Sequence, residues 1–215
     1  MPASGAFRGD TAPVQLDDLI VPDTAAATHA YELADAFCSP ALRNHCVRSY
    51  LWGTALAARE GIAVDAELLY VAAMLHDFGL LPSFDHPSTS FEHVGSTIAV
   101  VFAAGAGWPL ARQQRVSEVI VRHMGYSGDP TDDPEGHLLE RATTIDVSGG
   151  GIALVPAALR TEVLARWPRL SFAAEFAERF QAQVARGPEL SAGRAIARGA
   201  LDRMAANPLD APEQA

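Results

Sequence analysis

The adjacent pair His76-Asp77 lies at the end of an apolar run, Ala66 to Leu80, where packing alone gives neither side chain a reason to be present. A carboxylate in such a setting needs a hydrogen-bonding partner or a cation, because burying it unpaired is costly. Two further residues share that condition. His45 recurs with Leu42, Ser49 and Trp52 at three- and four-residue intervals, which puts it on the inward face of a helix, and Asp146 stands between Ile145 and Val147. Two neutral imidazoles and two carboxylates form a mixed nitrogen and oxygen donor set suited to a divalent first-row metal. The expected ligands are therefore His45, His76, Asp77 and Asp146. Zinc or iron is the expected ion, with manganese or a pair of metals as alternatives. Coordination positions would remain for water.

Helices must position these residues, and the sequence marks their ends. Asp65 is the expected N-cap of the His-Asp helix, with Pro82 closing its far end. Ser39 and Pro40 open the helix that carries His45, and Gly61 ends it. The short turn between them makes the two helices antiparallel neighbours, so that His45 reaches the pair. Ser90 starts a helix with His93 in its first turn, and Pro109 starts another whose last turn holds His123. Both histidines are expected to line the same cavity as catalytic groups, although a histidine at a helix C-terminus is also favoured by the helix dipole alone. Asp133 and Pro134 begin the helix of Asp146. Arg48 and Arg122 read as interhelix or surface ion-pair residues.

After Gly149-Gly150-Gly151 the chain reads as three amphipathic helices, broken at Pro168 and at Gly187-Pro188. Phe172, Phe176, Phe180 and Val184 form an i, i+4 stripe, taken as core or dimer surface. No strand-like alternation of useful length occurs, so the expected fold is all-α. The boundaries are a flexible N-terminal arm over 1–22, a metal-binding core over 23–150, C-terminal helices over 151–207 packed on the same domain, and a tail over 208–215. Val14, Leu16, Leu19 and Ile20 of the arm are expected to dock on the body.

With 215 residues, about half of them hydrophobic, the chain can build one substantial core. Its formal charge of -10 argues against nucleic acid or an anionic membrane as partner. All 16 basic residues are arginines. The absence of lysine excludes Schiff-base catalysis and the lysine-bearing phosphate loop. Cys38 and Cys46 are too few for a disulfide framework and read as reduced. Residues 1–10 lack a signal-peptide pattern and no apolar stretch is long enough to span a bilayer, so a soluble cytoplasmic protein is expected. The expected partner is a small-molecule substrate, and a homodimer is compatible with the long C-terminal helices.

The order His45, then His76-Asp77, then Asp146 across successive helices resembles the HD superfamily of metal-dependent hydrolases, over roughly Ala41 to Ser148. Within it the text around His45 to Gly53, Leu69 to Leu80, Ser90 to Gly95 and Ile145 to Val147 is similar to the cyanamide hydratase group. The resemblance implies an HD-domain helical bundle with additional C-terminal helices. It also implies an enzyme that adds metal-activated water to a small polar, nitrile-like substrate. Many phosphohydrolase members carry a lysine where this chain has Leu80, which turns the expectation away from phosphate. A metal charge neutralised by Asp77 and Asp146 would likewise suit an uncharged substrate. The alternatives are an HD phosphohydrolase acting on a nucleotide or phosphate ester, a dinuclear-iron HD oxygenase drawing on His93 and His123, and a non-catalytic HD sensor module.

Overall fold

In the computed structural model, residues 14–19, 21–125 and 128–210 are described. Among them the chain forms ten α-helices and no strand. The first, α1 (Ala25–Phe37), is capped by the Thr24 hydroxyl on the Ala27 amide, and α2 (Pro40–Glu60) by the Ser39 hydroxyl on the Leu42 amide. Gly61, at φ 68°, ends α2 in the left-handed conformation that glycine adopts without steric cost. Burial extends around nearly the whole of α2, and α3 (Ala66–Leu75) is apolar on all sides, which makes this antiparallel pair the centre of the molecule.

Around the pair stand α4 (Phe91–Gly105) and α5 (Leu110–Arg122), packed on each other and on α3, and α6 (Pro134–Ser148), packed along α2. The C-terminal part contributes α7 (Ala157–Arg166), α8 (Phe172–Arg186), α9 (Ser191–Ala197) and α10 (Ala200–Ala205). Of these, α8 lies on α2, and α10 on α6 and α8.

Three expectations need correction. The His-Asp helix stops at Leu75 instead of running to Pro82: His76 is its C-cap and Asp77 has φ -98° and ψ 7°, ahead of a 3-10 turn over Phe78–Leu80. Adjacent residues within an α-helix point about 100° apart, so leaving the helix here is what lets both side chains reach one point. The last expected helix is two, because Gly199 takes φ 79° between α9 and α10. Ser90 holds the N-cap position of α4, but its hydroxyl accepts from the Ser191 amide.

Two glycines fix how α4 meets the His-Asp turn. A Cβ on Gly79 would lie 2.1 Å from the Phe91 carbonyl oxygen, and one on Gly95 would lie 2.6 Å from the His76 carbonyl oxygen. Backbone meets backbone at both points. Leu170, exposed at φ 55°, is the non-glycine residue in the left-handed region among those described. It turns the chain between Arg169, which points inward, and α8. Of the expected N-terminal arm, 1–13 and Ile20 lie outside the described residues, while Leu19 is buried and Val14 and Leu16 pack against the core. Residues 211–215 of the expected tail also lie outside them.

Candidate metal centre

His45 on α2 directs its two ring nitrogens to opposite sides. Its Nδ1–H donates to Oδ2 of Asp146 at 2.7 Å, which leaves Nε2 as a lone pair 3.2 Å from Nε2 of His76. His76 is fixed in the same tautomer, because its Nδ1–H donates to the Ala73 carbonyl at 2.8 Å. Asp77 Oδ2 completes the group, 3.3 Å from His45 Nε2 and 3.1 Å from His76 Nε2. Neither carboxylate oxygen of Asp77 has a hydrogen-bond donor, although the residue is 1% exposed. Three electron-rich atoms thus converge in a dry site, each with its lone pair turned toward the others. A cation relieves that arrangement. One donor atom from each of His45, His76 and Asp77 lies within 4.8 Å of the others, the spacing of ligands around one ion.

The electrostatics agree with the geometry. Burial would raise the pKa of Asp77, but the neighbouring His76 and His45 outweigh it and hold the carboxyl well below its usual range. Burial would lower the pKa of His45, yet its bond to Asp146 and the nearness of Asp77 raise it. In the absence of metal, a proton on His45 does part of what the cation would do.

Asp146, expected as the fourth ligand, stands on the far side of the His45 ring. Its oxygens already accept from Arg48 Nε at 2.7 Å and Nη2 at 2.8 Å, from Trp52 Nε1 at 2.9 Å and from His45. Arg169 adds a charge 3.5 Å away and bonds the Asp146 carbonyl. The carboxylate therefore fixes the orientation of the His45 ring, as an outer carboxylate does for a histidine that binds a metal. Burial opposes its charge, but Arg48 and His45 hold its pKa well below the carboxylate range. Arg48 and Arg169 thus balance the charge of Asp146, which the sequence places among the ligands.

His123 is the C-cap of α5 and lies edge-on to His76, ring centroids 4.9 Å apart. Its Nδ1–H donates to the Ile120 carbonyl, and Nε2 is the free acceptor. Burial, with the neighbouring His76 in addition, lowers its pKa to about 3, so the ring is neutral. It lines the cavity with the three converging residues. His93 does not: it is exposed on the outer face of α4. Phe91 and Gly95, four apart, press on the His-Asp turn, and a residue two positions on from Phe91 is rotated roughly 200° away.

The cavity measures about 220 Å³. Phe176 and Phe180 of the α8 stripe line it, and Phe172 of the same stripe stacks on His45 at 4.4 Å. The stripe expected as core or dimer surface thus packs against the site. Arg48, expected as an ordinary ion-pair residue, is 0% exposed and holds Asp146. Trp52 and Phe172 were legible as inward-facing, without a sign of their roles. Arg169 carried no sequence signal, because only the tertiary fold brings it 3.5 Å from Asp146.

An all-helical bundle with a buried two-histidine, one-aspartate cation site is what the fold and the residues define. Residues 42–147 match the HD domain family, so the chain carries an HD domain that begins on α2 and ends on α6. Two curated relatives from Saccharomyces cerevisiae, cyanamide hydratase DDI2 and cyanamide hydratase DDI3, are each 27% identical over 173 residues. Those residues span 78% of this chain and 76% of the relative. The similarity thus extends beyond the HD domain. No helix among the described residues is long and apolar enough to cross a membrane.

Proposed function

We propose that this protein is a metal-dependent hydrolase of the HD type that adds water across a small nitrile-like molecule, with cyanamide as the first substrate to try. The observation that carries the reading is Asp77: a buried carboxylate without a donor, facing two imidazole lone pairs. That donor set fits zinc, iron or manganese, and three protein ligands leave positions open, as catalytic sites require. A divalent ion bound there supplies Lewis acidity and lowers the pKa of water.

The protein's own groups do the rest. Asp146 and the Ala73 carbonyl hold the two imidazoles with Nε2 inward. His123, neutral and with Nε2 free, accepts a hydrogen bond from the attacking water and orients it, while the water's proton passes to the substrate nitrogen. Phe176 and Phe180 exclude bulk solvent from the cavity. Two observations favour a small molecule over a nucleotide. The cavity is smaller than the roughly 300–1,000 Å³ of pockets for drug-sized ligands. Leu80 is buried in the core and presents no charge to a phosphate. A second metal would draw on His93 and His123, and His93 faces solvent.

Metal analysis of protein purified without chelator, together with urea release from cyanamide, tests the proposal. About one metal per chain and urea above a no-enzyme control are expected. Metal-loaded protein that yields no urea would remove the hydratase reading, and phosphate release from a nucleotide panel would replace it.

A further inference from the structure

The cavity's mouth carries two arginines that lie apart from the metal site. Arg198 and Arg203 flank the α9–α10 corner, both exposed, and both line the cavity whose floor is His45, His76 and Asp77. In a chain with 26 acidic residues and 16 arginines, most buried or half-buried guanidinium groups find a carboxylate. Among the described residues no carboxylate pairs with Arg198 or Arg203. Arg203 donates to the Arg198 backbone carbonyl, which fixes its side chain against the α9–α10 corner. Glu140 of α6 also lines the cavity, and burial raises its pKa. At the floor, Asp146 is balanced by Arg48 and Arg169, so a divalent ion held by two neutral imidazoles and Asp77 alone keeps a net positive charge.

We propose that the substrate carries a carboxylate, which Arg198 and Arg203 hold at the mouth while its other end reaches the metal ligands. Charge-assisted bonds to guanidinium are the strong class of hydrogen bond, and a cleft of one sign concentrates ligands of the other. The metal end and the arginine end then read opposite ends of one small molecule. This inference rests on the cavity being the substrate site, not on which bond the enzyme hydrates.

Cyanoacetate and cyanoacetamide, nearly equal in size and different in charge, are the probes. Calorimetric titration into zinc-loaded protein at low ionic strength is expected to show cyanoacetate binding about tenfold more tightly. The preference should shrink with added salt, vanish in the Arg198→Gln/Arg203→Gln double variant at unchanged metal content, and persist in Arg194→Gln, outside the cavity. Equal affinities, a preference that survives the double variant, or no measurable binding of cyanoacetate would each overturn the proposal. A preference for cyanoacetate with neither cyanoacetate nor cyanamide hydrated by the metal-loaded protein would leave this inference standing and remove the hydratase reading alone.

Discussion

His45 shows how one side chain can be committed on both sides: Nδ1 to Asp146, Nε2 to the cation site. Removing the partner on either side should therefore have a different result. Asp77→Ala is expected to lose metal and activity together. Asp146→Asn should keep metal with about 10- to 100-fold weaker affinity, since it disturbs the support of a ligand. It should also lower stability by about 3–5 kcal/mol, because Arg48 is left as a buried charge without its counterion. Competition with a chelator and urea denaturation measure the two effects; complete metal loss in a folded Asp146→Asn would make Asp146 a ligand. His123→Ala should retain one metal and lose turnover, and a halved metal content would instead indicate a dinuclear site. Much of this was legible at the level of residue type: His45, His76 and Asp77 are polar groups on apolar faces. What could not be read was which of the four binds and which supports. That depends on the side of the His45 ring from which α6 delivers Asp146, and periodicity fixes a face, not a position across an interhelix gap.

At the scale of elements, caps and glycines announced most boundaries: Ser39, Gly61, Asp65 and Asp133 all act where the sequence places them. Two breaks were hidden. The stop of α3 at Leu75 has no glycine or proline at that point, and arises because Gly79 and Gly95 let α4 press against the turn. The rotation of α4 that sends His93 outward follows from the same contact. Gly95→Ala should force the α4 backbone off the His76 carbonyl and cost about 1–3 kcal/mol, with weakened metal binding. Gly105→Ala, on the same helix with open space around it, should be neutral or stabilising by up to about 1 kcal/mol. Equal denaturation midpoints for the two variants would show that the close approach does not matter.

Across the whole molecule, the centre links stability to pH and metal. In the folded apo protein His45 has a raised pKa, so its proton contributes stability below the unfolded value of about 6.5, and this is lost as pH rises through the folded value. Asp146 has a lowered pKa, so its contribution is present above about 4 and lost as pH falls through the folded value. Chelator-treated protein should thus show a Tm that declines on the alkaline side. Metal-loaded protein should not, since the ion replaces the proton. Parallel Tm profiles for the two forms would overturn this. The support for the centre also comes from far along the chain. Arg169 and Asn207 both bind the Asp146 carbonyl, and Phe172 stacks on His45, yet all three follow the last residue of the HD domain match. During synthesis the ligands emerge before the groups that hold and pack against them. Removing α8 and Asn207 is therefore expected to loosen the hold on the metal ligands even though the HD domain match itself is intact.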